Sequence, residues 1–261
     1  MFGSTVLEVV VGLTFCYASV ALIVSALQEG IASLLRLRAA CLFSGIKNML
    51  GDAQFMGLAR AVYDHALVNP HAATSLPAYI KPDHFAIALV DAIQSIPGDL
   101  DQLGRDIDAL QDSQLRRALQ GIYQRAQGDL AAFQGALAGW FDSRMEVVAA
   151  AYKRRAMFIS LVLSLGLAML FNIDSIHLFK SLWQHPALAA QITATADPRA
   201  LEALWQLPIG WQQFPPRLDS QLLLNVAGWL LTASTALFGA PFWFNLMKHT
   251  VQMRTPPHQA S

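Results

Sequence analysis

Three stretches of this sequence carry no charged residue over lengths that few water-soluble helices sustain. Between Glu8 and Glu29 lie 20 residues, VVVGLTFCYASVALIVSALQ. Between Arg155 and Asp174 lie 18, AMFISLVLSLGLAMLFNI. Between Asp219 and Lys248 lie 28, SQLLLNVAGWLLTASTALFGAPFWFNLM. A helix of about 20 apolar residues crosses the hydrocarbon core of a bilayer. Each stretch is long enough, and the third has length to spare for a tilt or a kink. The alternative is three buried helices of a large soluble core. It is disfavoured because soluble helices rarely stay uncharged on every face for five turns.

Charge sharpens this reading. Charged residues make up 14% of the 261 residues, against about 25% in soluble domains. The net charge is zero, which supports neither nucleic-acid binding nor a polybasic membrane surface. Beside the uncharged stretches, one side carries Arg36, Arg38, Lys47, Arg144, Lys153, Arg154, Arg155, Lys248 and Arg254. The other carries Lys180 and Arg217. The positive-inside bias then places residues 36–155 and the C-terminus in the cytosol, and the N-terminus and residues 174–219 outside. The N-terminal MFGSTVLE lacks the basic n-region of a signal peptide, so the first stretch reads as a retained anchor. Cys16 within it and Cys41 beyond it suggest neither a disulfide nor a metal pair.

The expected fold is all-α. It comprises a first transmembrane helix (1–35), a helical cytosolic domain (36–155), a second span (156–173), an extracytoplasmic segment (174–219), a third span (220–247) and a cytosolic tail (248–261). Apolar residues at helical spacing extend the first span to Gly51-Asp52. Further helical patterns cover 53–67, 82–94, 99–111 and 113–127. From Asp129 to Asp174 no proline interrupts the pattern. That stretch therefore reads as one rod of roughly 65–70 Å, with Lys153, Arg154 and Arg155 at the water boundary. The amphipathic ends of the first two spans would pack as a stalk, covered by the shorter helices.

Several motifs stand in a distinctive order: WFDSRM at 140–145, YKRR at 152–155 and GAPFWF at 239–244, with YDHALV at 63–68 and PAYIKPDHFAIALVD at 77–91. In this the chain resembles a family of uncharacterised bacterial inner-membrane proteins, and the likeness extends over most of its length. It departs from their pattern at Asn245, where members usually carry Asp, and at VVAAA (147–151), where a Ser-Gly-Trp-like stretch is usual. The resemblance implies membrane topology and no activity.

No residues form a convincing catalytic, cofactor-binding or metal constellation. On a helix Asp142 shares a face with Met145 and Glu146, away from Arg144. It reads as a structural carboxylate paired with an arginine of a neighbouring helix. Pro241 lies where it would free the carbonyl near Leu237 and kink the third span. Phe242, Trp243 and Phe244 beside it suit an interfacial aromatic belt. Gly228, Thr232, Ala236 and Ala240, like Ser160, Ser164 and Ala168, form small-residue faces that let helices approach closely, within the chain by preference. Glu8 and Glu29 cap the ends of the first span. Asp174, His177 and His185 are too few and too loosely placed for a metal.

The expectation is therefore a non-enzymatic inner-membrane subunit or scaffold without cofactor. It would contact the lipid bilayer and a protein partner, or self-associate through the small-residue faces, and would not bind nucleic acid. Trp140, Phe141, Asp142, Met145, Tyr152, Lys153, Arg154, Arg155, Pro241, Phe242, Trp243 and Phe244 are its candidate interaction residues. The alternative is an oligomeric membrane pore or effector, such as one acting in stress or phage defence.

Overall fold

The computed structural model describes residues 2–70, 76–184, 209–211 and 220–252. Among these residues it is helical, with ten helices and no strand. They are α1 (Phe2–Leu34), α2 (Leu37–Met49), α3 (Leu58–Asp64), α4 (Pro82–Ile93), α5 (Leu100–Asp108), α6 (Ser113–Ala126), α7 (Leu130–Leu170), α8 (Ser175–Gln184), α9 (Ser220–Ala236) and α10 (Ala240–Gln252). The chain divides into two compact units. One is Ala32–Arg155; the other combines Met1–Ile31 with Ala156–Ser261.

In the unit 32–155, aspartates set several helix starts. Asp99 accepts the amide of Gln102 at 2.9 Å, Asp112 that of Leu115 at 2.6 Å, and Asp129 that of Ala131 at 2.8 Å. Each carboxylate satisfies an amide that has no partner inside its helix and places negative charge at the positive helix end. The core gathers Ile46, Tyr63, Phe85, Leu89, Ile107, Leu119, Phe133, Leu137 and Phe141, all fully buried. Phe85 stacks on Phe141 with ring centroids 4.0 Å apart. Gly45 lets α2 meet α7 closely, since a Cβ there would stand 2.6 Å from Val148 Cγ2.

Two expected helices are shorter than the sequence pattern suggests. The amphipathic continuation of α1 is interrupted at Arg36, which adopts a left-handed φ of 48° before α2 begins. The helix expected over 53–67 contracts to α3. The Asp52 carboxylate accepts the amides of Met56, Gly57 and Ala59, holding the backbone in a turn that competes with helix. Burial pushes the Asp52 carboxyl up, but these amide hydrogen bonds outweigh it and hold it below the usual range.

The long rod is a single helix through the basic cluster. α7 has 41 residues, about 60 Å at 1.5 Å per residue. It stops at Leu170, four residues before the expected end, because Asn172 turns left-handed (φ 48°) and the Ile173 amide returns to the Ala168 carbonyl.

The unit formed by 1–31 and 156–261 holds the apolar stretches. Val9–Leu34 is long and apolar enough to cross a membrane; α7 with α8 and α9 with α10 qualify only as bent pairs, at 53° and 89°. The third span expected over 220–247, with a kink at Pro241, is instead two helices. Gly239 takes a φ of 78° and its amide bonds to the Ala236 carbonyl, closing α9. Pro241 is the second residue of α10. It does not kink a continuous helix: a first-turn proline lacks only an N–H that has no helical partner, so it starts α10 at little cost.

A hydroxyl network ties this unit together. Tyr17 donates to Ser175 at 3.0 Å. Ser175 and Thr232 share a 2.8 Å bond, and Thr232 donates to the Ile173 carbonyl at 2.7 Å. In apolar surroundings such bonds join helices that the hydrophobic effect alone would not order. The buried Asp174 caps α8, accepting the amides of Ile176 and His177. Gly228 makes room for it, because any Cβ there would overlap the carboxylate.

Candidate functional site

On the unit 32–155, one face of α7 lies open for three turns. It forms the floor of a groove of about 540 Å3, walled by α2 and by the non-helical residues Ala78–Ile80 leading into α4. The size falls within the range of about 300–1,000 Å3 usual for binding sites. The middle is apolar, with Leu42, Ile80, Phe141, Met145 and Val148. The ends are oppositely charged. Asp142 and Glu146 stand at one, Arg38 and Lys153 at the other. The spacing follows from the helix: residues 142, 146, 149 and 153 return to one face every three or four positions.

At the basic end, Arg38 is held in place. Its Nε donates to the Tyr152 hydroxyl at 3.4 Å, and its guanidinium lies 5.6 Å from the Tyr152 ring centroid, within cation–π range. At the acidic end the expectation for Asp142 fails. Asp142 and Glu146 are exposed and neither forms an ion pair among the described residues. The reason is geometric: Arg144 points away around α7, and Arg38 engages Tyr152, three turns further along.

The sequence candidates separate into groups. Phe141, Asp142, Met145, Tyr152 and Lys153 line this groove. Trp140 and Arg144 line a smaller cavity of about 260 Å3, with Met145 and Val148 bordering both. Arg154 and Arg155 are exposed and line neither. Trp243 is buried, donates to the Thr235 carbonyl at 2.8 Å and packs 5.0 Å from Tyr17, whereas Pro241, Phe242 and Phe244 are exposed. The small-residue faces are used within the chain: Ser164, Ala168, Gly228, Thr232, Ala236 and Ala240 are all buried there. Of the end residues of the first stretch, Glu29 is exposed, and the side chain of Glu8 lies outside the described residues. His185 also lies outside them.

Sequence reasoning missed Arg38, Tyr79 and Ile80 as groove residues. The one signal for the latter two was the motif PAYIKP, whose flanking prolines disfavour a helix running through it.

Among the described residues, Asp142 and Glu146 share no hydrogen bond with a nucleophile or histidine. What the groove offers chemically is an apolar seat with a charge of opposite sign at either end. No family model, curated protein or solved structure compared with the chain matches it. Fold and site therefore define a class: an all-helical protein with at least one helix able to cross a membrane and a separate helical unit that carries a groove.

Proposed function

We propose that this chain is a non-enzymatic inner-membrane subunit or scaffold whose helical unit docks a protein partner from the cytosolic side. The observation that carries the reading is the groove on α7, apolar in the middle, oppositely charged at its ends, and lined by five of the residues singled out in WFDSRM and YKRR. Aromatic and apolar surface with a polar rim is the usual composition of a docking site.

In this reading α1 and each bent pair count as one span, giving three. The basic residues around 144–155 hold the unit 32–155 in the cytosol, and α7 enters the bilayer after Arg155. A reporter fused after Ser261 then behaves as cytosolic and one inserted near Ala196 as extracytoplasmic. Both on the same side would refute three spans.

The docking test is a groove-filling substitution. Ala149 is exposed on the groove floor, so Ala149→Trp blocks the seat without disturbing the core. Purified in mild detergent, the wild-type chain carries a foreign partner at defined stoichiometry and the variant does not. A wild-type chain that purifies as a conducting homo-oligomer instead would replace this reading with a pore.

A further inference from the structure

The charge order of the groove narrows what can fill it. Along α7, Asp142 and Lys153 are eleven positions apart, about 16 Å. That is about three helical turns, the length of a short docking helix. The floor repeats at helical spacing, and the two walls flank it along its length. Neither Asp142 nor Glu146 has an ion-pair partner among the described residues, so no described residue supplies a cation to this end.

In the topology proposed above, a second copy of the chain does not supply it either. If α7 enters the bilayer after Arg155, two copies in one membrane carry this unbroken helix in the same sense. A two-fold axis along the membrane normal then sets Asp142 and Glu146 against themselves and Lys153 against Lys153. Like charges face each other, which an axis along the membrane normal cannot avoid and which costs affinity. An anionic amphiphile would satisfy Lys153 but leave its tail beside two carboxylates.

Resting on the docking reading above, we infer that the groove takes one amphipathic α-helix of a different protein. This helix presents an apolar face at i, i+3, i+4 and i+7, basic side chains to Asp142 and Glu146, and acidic side chains to Arg38 and Lys153. Laying an apolar helical face into a groove is an established recognition mode, and the charged ends fix its register.

The probe is a set of three labelled 16-residue helical peptides with the same apolar stripe. One is basic at one end and acidic at the other, one is basic at both ends, and one is acidic at both. Binding to the full chain in non-ionic detergent is read by fluorescence anisotropy. The bipolar peptide is expected to bind at least tenfold tighter than either of the others, and Ala149→Trp abolishes that binding. In the double variant Asp142→Lys, Glu146→Lys, the preference moves to the peptide acidic at both ends. Equal binding of all three peptides, no binding of any, or no change of preference in the double variant overturns the inference. So does displacement of the bipolar peptide by oleate with no dependence on the charge order. If the peptides fail while Ala149→Trp still releases the partner that co-purifies with the full chain, the docking reading stands and only the helical, bipolar occupant falls. If Ala149→Trp is silent in both assays, both fall.

Discussion

Tyr63 offers a direct test of how the core of the unit 32–155 is held. Its side chain is 2% exposed, and its hydroxyl finds no hydrogen-bond partner among the described residues. The ring itself is well used, packing edge-on against Phe43 and Phe55 with centroids 5.4 and 5.7 Å away. In the unfolded chain the hydroxyl bonds to water; in the fold it has lost that bond and gained none, at a cost of about 1–3 kcal/mol. Tyr63→Phe removes the stranded group and keeps the ring. The hydroxyl-sized void costs only a few tenths of a kcal/mol, at about 24 cal/mol per Å3. The variant is therefore expected to gain about 1 kcal/mol, a rise of roughly 2–8 °C in the melting temperature, measured on the full chain in detergent. The pH dependence supplies a second readout. Burial pushes the Tyr63 phenol above its ordinary range, which is about 10 in the unfolded chain. The folded state keeps its proton while the unfolded state releases it, so stability falls as pH rises from about 10 toward the folded value. Tyr63→Phe lacks this loss, and its advantage over wild type widens above pH 10. A Tyr63→Phe protein less stable than wild type at pH 7, with no widening at high pH, would show that the hydroxyl has a partner and that the reasoning is wrong.

Three further outcomes are expected. Val148→Pro removes a backbone bond in mid-α7 and clashes with the preceding turn, costing about 3 kcal/mol or more; it should lose thermal stability and partner recovery while membrane insertion is retained, and an equally stable variant would show that an unbroken α7 is not needed. Gly228→Ala drives a Cβ into the Asp174 carboxylate and should cost about 1–3 kcal/mol by overpacking; adding Asp174→Ser, which shortens the side chain but can still cap α8, should recover most of the melting temperature. Trp243→Ala empties a buried, hydrogen-bonded site and should cost about 3–5 kcal/mol, whereas Pro241→Ala, exposed in the first turn of α10, should change stability by much less; the reverse order would make the break between α9 and α10 the important element.

The sequence by itself determined the helical class and the course of α7. A 3.6-residue apolar period, the aspartates that start α5, α6 and α7, and the absence of proline through the basic cluster are local features, and local hydrogen bonding obeys them. It also brought Asp142, Met145 and Glu146 to one face, because that is fixed by helix geometry alone. Part of what it left open is local backbone detail that the apolar period does not record, and part depends on residues far apart in the chain. The first helical pattern runs on past Arg36, yet α1 ends at Leu34, and the helix expected over 53–67 keeps only Leu58–Asp64 beyond the turn around Asp52. The third uncharged stretch looks continuous by composition, yet Gly239 turns left-handed and Pro241 starts a new helix, so a residue read as a kink is a beginning. Asp142 looked like half of an ion pair. Only the packing of α2 and residues 78–80 along α7 decided that Arg38 stays with Tyr152, that the carboxylate has no ion-pair partner among the described residues, and that the space between them is a groove. Periodicity records which side of a helix is apolar; which neighbour covers that side, and which turn it leaves uncovered, is settled by contacts between residues a hundred positions apart.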